Sequence, residues 1–349
     1  MPYIQLRGHA LASKPPSFLI INVSRIGDTL LVTPAIRAVA RAFPGADITF
    51  VGHPKRCEVV RHLPFVSTVK GMTKNWAWLL GHWHGQRYDV AIVYGHDLPL
   101  VNYALRLAKR VVAFRQKDAA SNERLYRAVE PPPAKSMHSA QVPLLLTQAL
   151  GIEPDGHHLA YRVTDRERAW AVSFLQQQVP AGKRPLIGLQ VASFPTKAYR
   201  DWPVRHFAAL CEKILGANPQ AHFLLLGGKQ EIAKIRELEQ CLGDHATVVA
   251  GKLSLRQTAA LMQKLGLYVG VDTGPTHLAG AIGVPMVALY HCHSPGRLYA
   301  PLDRDQLQVI EHPALDSGGT AQSEMADISV ERVWEAVQAM LNRKSKPAA

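Results

Sequence analysis

The chain has 349 residues, 47% hydrophobic and 19% charged, which excludes an extended disordered polymer and allows two domains with separate cores. Lys and Arg number 40 against 27 Asp and Glu, and the net +13 implies an anionic partner: nucleic acid, an acidic membrane surface or a phosphorylated substrate. The four cysteines, Cys57, Cys211, Cys241 and Cys292, include no CxxC pair, so neither a disulfide framework nor a zinc knuckle is expected. No run approaches the roughly 20 apolar residues of a membrane span. No long apolar core precedes Arg25, so no signal peptide is expected and a cytoplasmic setting fits.

Residues 1–17 read as a loose lead-in. A buried strand over 18–23 runs into the turn Ser24-Arg25-Ile26-Gly27-Asp28-Thr29. Leu30, Leu31, Ala35, Ile36, Val39 and Phe43 then recur at helical spacing, and Pro44-Gly45 closes the helix. Asp28 stands at the C-terminal edge of the first strand, where doubly wound sheets place ligands; the same position suits a helix cap. Further units follow: strand 47–52, helix 54–62, strand 66–70, a Trp-rich helix 74–83, strand 88–94, helix 98–109 and strand 110–114. Repeating β then α argues for a parallel sheet. From 115 to 138 the pattern breaks into a basic loop containing Arg115, Lys117, Arg124, Arg127, Lys135 and a triple proline. Such a loop is a solvated face or an anion-binding surface. A closing helix is expected over 139–150.

The stretch 151–184, with a helix over 165–178, holds the expected boundary between domains 1–165 and 166–349. A second β/α series follows: strand 185–191, helix 204–215, strand 222–226, helix 231–241, strand 247–249 and helix 255–265. Its last unit is the most informative. Leu267 to Val271 is an apolar strand, Asp272 and Thr273 are cap candidates, Pro275 suits a first helical turn, and Gly283 stops the helix before a strand over 285–290. A strand ending in Asp-Thr-Gly and opening a helix presents backbone N–H groups and a dipole to phosphate. Thr273 adds a hydroxyl, Gly274 permits close approach, and His277 lies one turn in. The alternative is a capped βα turn with a packed histidine. The segment 312–322 is expected to be mobile, ahead of a final helix to about 341.

Residues 272–285, DTGPTHLAGAIGVP, resemble the D-T-G-x-x-H-x-A-x-A-x-x-x-P signature of bacterial ADP-heptose:lipopolysaccharide heptosyltransferases, glycosyltransferase family 9. The opening is similar too: strand, then S-R-I-G-D, then T-P-A-I-R, then F-P-x-A-x-I. The resemblance implies an α/β protein with two doubly wound Rossmann-like domains facing a cleft, the GT-B arrangement. It implies acceptor binding by the N-terminal domain and nucleotide-sugar binding by the C-terminal one. The implied reaction moves heptose from ADP-heptose to a Kdo or heptose hydroxyl of the lipopolysaccharide inner core, with inversion and without a metal. Asp28 would be the base. Ser24 and Arg25 would help at the acceptor, and Arg115, Lys117 and Arg124 would meet its anionic groups. Ser193, Thr196, Lys197 and Arg200 resemble the family's hydroxyl-rich loop before W-P; Arg200 stands where a lysine is usual, and it or Lys197 would hold the diphosphate. Glu231 falls at the ribose position, with a capped helix start as the alternative. Leu253 falls at the adenine-packing position. Asp272, Thr273, Gly274 and His277 complete the implied donor site. A peripheral place on the inner face of the cytoplasmic membrane follows from the acceptor.

Other readings have less support. A nicotinamide oxidoreductase lacks its G-x-G-x-x-G turn. A nucleic-acid-binding protein fits the charge, but no groove-reading helix or aromatic platform is evident. A transferase using another nucleotide sugar remains open. His291-Cys292-His293 lacks spaced zinc partners, and Asp303-Arg304-Asp305 is a lone D-x-D string.

Overall fold

A computed structural model describes residues 14–73 and 87–343. The expected helix over 74–83 and most of the lead-in lie outside the described residues. The chain divides into two compact units, Met1–Arg162 and Val163–Ala349.

In the first unit, β1 (Ser17–Asn22), β2 (Asp47–Gly52), β3 (Thr68–Gly71), β4 (Tyr88–Val93), β5 (Ala108–Phe114) and β6 (Arg127–Val129) form one sheet, ordered β3-β2-β1-β4-β5-β6. All pairings among them are parallel. Phe18 lies opposite Ile48 of β2 and Val90 of β4. The central strands are continuous apolar runs because both of their faces are covered. Leu19, Ile21, Ala91 and Val93 pack with Leu100, Val101 and Ala104 of the helix Leu98–Leu107. The strand order reverses between β1 and β4, the switch point at which such sheets bind ligands.

The second unit repeats this winding. Strands β7 (Leu186–Gln190), β8 (His222–Leu226), β9 (Ala246–Val248), β10 (Leu267–Val271), β11 (Met286–Tyr290) and β12 (Leu307–Glu311) are ordered β12-β11-β10-β7-β8-β9, so β7 and β10 flank its switch point. Phe207, Leu210 and Ile214 of the helix Val204–Ala217 and Val333, Val337 and Met340 of the helix Val330–Arg343 pack with Ile187, Phe223 and Val269. The helix Gly274–Ile282 is buried from Thr276 to Ala281 and ends at Gly283, whose φ of 84° is the left-handed geometry of a helix stop. The fold class is therefore the expected one: two parallel, doubly wound α/β units.

Several elements differ from expectation. The helix over 30–43 is two, Ile26–Leu31 and Thr33–Ala42. Pro34 has no N–H for the Leu30 carbonyl, and the Thr33 hydroxyl donates to it instead at 2.6 Å. The stretch 54–62 forms only the 3-10 turn Cys57–Val60 and reverses at His62, φ 71°. The basic stretch 115–138 is not one loop. It holds the helix Ala119–Glu123, capped by Asp118 accepting from the Ser121 amide at 2.9 Å, and the edge strand β6. The helix expected over 139–150 narrows to Leu144–Gln148. Strand β12 was not anticipated, and edge strands this short and half-buried carry a weak apolar signature.

Candidate functional site

In the first unit the C-terminal ends of β1, β2 and β3 border an open pocket of about 330 Å³, lined by Ser24, Arg25, Asp28, His53, Arg56 and Thr73. Asp28 occupies the first turn of the helix Ile26–Leu31. Its Oδ2 accepts from the Ser24 hydroxyl at 2.8 Å and the Arg25 amide at 3.3 Å, while its own carbonyl accepts from Asn22 Nδ2 at 3.1 Å. Asp28 thus caps the helix and lines the pocket at once, and it remains exposed. Arg56 Nη1 donates to the Ser24 carbonyl at 3.3 Å. Burial, then the charges of Arg56 and Lys55, push the His53 imidazole below its ordinary pKa. Ser24 and Arg25 line this pocket with Asp28 and hold its carboxylate. Arg115, Lys117 and Arg124 are not among the residues lining this pocket. All three are exposed, and Arg115 Nε is paired with Glu130 Oε2 at 2.8 Å. His53, Arg56 and Thr73 were missed. The rule that ligands gather at strand C-termini would have found them had it been applied to β2 and β3 as well as to β1.

In the second unit Arg200 is the hub. It ends the 3-10 turn Pro195–Arg200 that follows β7. Its Nη1 lies 2.7 Å from Asp272 Oδ2 and 3.4 Å from the Asp272 carbonyl; its Nη2 donates to Ser294 Oγ at 3.0 Å, and its Nε to Tyr199 Oη at 3.2 Å. Asp272 follows β10 and Ser294 follows β11, so the switch-point topology gathers groups over 70 residues apart in sequence. The Asp272 side chain is only 4% exposed, and His277 Nε2 stands 3.9 Å from its Oδ1. Burial pushes the Tyr199 phenol up, but bonding to Ser294 and Arg200 outweighs it and the net shift is downward. Lys197 lies with Nζ 5.8 Å from the centre of the Tyr199 ring.

Ser193 is tied inward. Its hydroxyl is 2.6 Å from Asp201 Oδ1 and 2.7 Å from the Lys197 carbonyl, and its amide donates to Asp201 at 2.7 Å. It braces the loop, whereas Thr196 on the same turn is exposed. Glu231 is buried, with Oε2 accepting from the Gly228 amide at 2.5 Å. Leu253 is half-buried just before the helix Leu255–Met262. Thr273 makes no side-chain cap; its hydroxyl lies 3.3 Å from both the Val271 carbonyl and Thr276 Oγ1. Gly274 opens the helix; Pro275 carries no N–H, and the Thr276 and His277 amides donate to the Thr273 carbonyl at 3.1 and 3.3 Å. Tyr199, Asp201 and Ser294 were missed. Tyr199 and Asp201 lie in the loop before W-P beside residues that were singled out, whereas Ser294 belongs to no motif and only the folded sheet brings it to Arg200.

Among the described residues no group of three or more His, Cys, Asp or Glu side chains converges in a metal-binding arrangement. His291 and His312 instead contact the backbone carbonyls of Ser323 and Glu324, each at 2.8 Å. Arg304 of the D-x-D string donates to the Ala281 carbonyl at 3.4 Å, at the end of the helix Gly274–Ile282.

A family model described as glycosyltransferase family 9 (heptosyltransferase) matches residues 82–318. The lipopolysaccharide core heptosyltransferase OpsX of Haemophilus influenzae is 23% identical over 323 residues, covering 89% of this chain and 89% of that protein. A solved glycosyl transferase family 9 structure from Veillonella parvula superposes with TM-score 0.79 at 20% identity, over 95% of this chain and 98% of that one. The ADP-heptose lipopolysaccharide heptosyltransferase II of Escherichia coli gives TM-score 0.77 at 19% identity, over 95% and 100%. With its two doubly wound units and a family match spanning well over half its residues, the chain belongs to glycosyltransferase family 9, the heptosyltransferases.

Proposed function

We propose that this glycosyltransferase moves heptose from ADP-heptose to a hydroxyl of the lipopolysaccharide inner core, on Kdo or heptose, in one inverting displacement. The observation that carries the reading is the presence, in one chain of this family, of two separate clusters, each within its own unit. One is a carboxylate in a cation-lined pocket, at Asp28. The other is an arginine-centred cluster at a helix start, at Arg200 and Asp272–Gly274. In the reaction Asp28 takes the proton of the acceptor hydroxyl. The freed oxygen forms a bond to the anomeric carbon as the bond from that carbon to the β-phosphate oxygen breaks, and ADP departs with the electron pair. Arg200 and Lys197, with the Gly274 amide at the helix start, neutralise the charge growing on the diphosphate. Asp272 orients Arg200 rather than meeting the phosphates itself, since a carboxylate repels them. Thr273 and His277 sit beside the diphosphate, Thr196 adds a hydroxyl, Glu231 accepts the ribose hydroxyls, and Leu253 packs on the adenine. Charge neutralisation by these residues gives no divalent metal a part, so activity is expected to persist in EDTA.

Ser24 and Arg25 hold Asp28 and the acceptor. Arg115, Lys117 and Arg124 form an outer basic surface for anionic groups of the core or of the inner leaflet of the cytoplasmic membrane. The test is transfer from ADP-heptose to defined inner-core acceptors. Asp28→Ala is expected to lower kcat by about 10²–10⁴ while ADP still raises the melting temperature. Normal turnover by the variant would remove Asp28 as base.

A further inference from the structure

The pocket at Asp28 holds three more basic side chains than the base needs. Arg25, Arg56 and His53 line it together with a single carboxylate. Asp28 is already held by the Ser24 hydroxyl and the Arg25 amide, and neither guanidinium takes part. Ser24 also accepts from Arg56 through its carbonyl, so this one residue fixes the spacing between Arg56 and Asp28. A guanidinium has five N–H donors in a planar fork, and the Ser24 carbonyl takes only one. A volume of about 330 Å³ is at the small end of ligand pockets, the scale of one or two sugar rings.

We infer that Arg56 is a specificity-determining residue of the acceptor pocket, gripping a carboxylate or phosphate carried by the acceptor sugar and so bringing its attacked hydroxyl to Asp28. The inference rests on the transferase reading above. The fork matches either anion with two parallel bonds, which sets orientation as well as affinity. Two fixed points, the anion on Arg56 and the hydroxyl at Asp28, leave the sugar ring little freedom to rotate away from the attacking geometry. A neutral sugar would leave the guanidinium's remaining donors to water and lose both the grip and the orientation. His53 offers an anion less, because burial and the adjoining cations disfavour its charged form and a single imidazole N–H has no fork.

The experiment compares full-length wild type, Arg56→Gln and Arg56→Lys with ADP-heptose as donor. The acceptors are a Kdo-bearing inner-core oligosaccharide and its carboxyl-reduced form, and a phosphorylated heptose-bearing one and its dephosphorylated form. Wild type is expected to prefer one charged acceptor over its neutral form by at least about tenfold, and the pair that shows the preference identifies the anion. Arg56→Gln should raise KM for that acceptor about tenfold or more and bring the charged-to-neutral ratio close to one. Arg56→Lys, keeping charge without the fork, should fall between them. ADP affinity and donor KM should be unchanged in both variants, which separates the effect from misfolding. A variant that keeps the wild-type preference overturns the role of Arg56 while leaving the transferase reading intact. Failure of wild type to transfer heptose to any of these acceptors overturns that reading and this inference with it.

Discussion

Arg200 touches four oxygens, two of them on Asp272, so a residue that the motif comparison marks as a phosphate ligand is also a structural cation. Removing one partner of a buried ion pair strands the other, at about 3–5 kcal/mol. Arg200→Ala should therefore lower the melting temperature as well as ADP affinity, and a loss of ADP affinity at unchanged stability would show that Asp272 does not depend on it. Tyr199 presents a hydroxyl to Arg200 and to Ser294 at 3.2 Å each. Tyr199→Phe removes about 1 kcal/mol of hydrogen bonding and loosens the guanidinium. ADP affinity measured by calorimetry should drop severalfold, with KM for the acceptor unaltered. Asp28, Asp272, Thr273, Gly274 and His277 could be picked out from sequence because each lies in a contiguous string at a strand end. Tyr199 and Ser294 could not, since their meaning arises only where β7, β10 and β11 end side by side.

At the scale of elements, the helix Asp165–Gln178 is fastened to the helix Leu255–Met262 by one ion pair. Arg256 Nε and Nη2 donate to the two Glu167 carboxylate oxygens at 2.7 and 2.6 Å. Glu167 also closes a capping box with Thr164. Burial raises the Glu167 pKa, but bonds from Arg256 and Thr164 outweigh it and hold the carboxyl at about 2 against an ordinary 4.5. A depressed folded-state pKa contributes stability that is present above pH 4.5 and lost as pH falls toward 2. Glu167→Gln should cost about 2 kcal/mol at neutral pH, and its melting temperature should depend less on pH across that window than that of wild type. Equal slopes for the two proteins would refute the assignment. A second element-level device is Gly280, where an added Cβ would run into the ring of Pro301. Gly280→Ala should destabilise by about 1–3 kcal/mol through overpacking, readable as an earlier denaturant midpoint. Helices with a cap and an apolar stripe, such as Leu255–Met262 behind Ser254, were legible in advance. The break at Val32 and the short strands β6 and β12 were not, because a hydroxyl-for-amide substitution and edge pairing are decided by neighbours.

For the whole molecule, the formal +13 acts at long range. No helix among the described residues is long and apolar enough to cross a membrane. Electrostatic attraction to an anionic surface is screened within about 8 Å at physiological salt. Sedimentation with phosphatidylglycerol vesicles is therefore expected at low ionic strength and release near 1 M salt; binding that ignores salt would point to an apolar anchor instead. The sequence alone was enough for the α/β class, the repeated winding and the two strand-edge motifs. Each of those follows from local matters: apolar runs of strand length, capping residues and glycine where the chain must turn. Only the tertiary structure decided that Arg200 grips Asp272, that Ser193 braces its own loop, and that His53 and Arg56 share a pocket with Asp28. The Ser193 brace is a fold of one loop onto itself; the other two depend on which strands lie adjacent in the sheet, and strand order is set by packing between segments far apart in the chain rather than by any stretch of it.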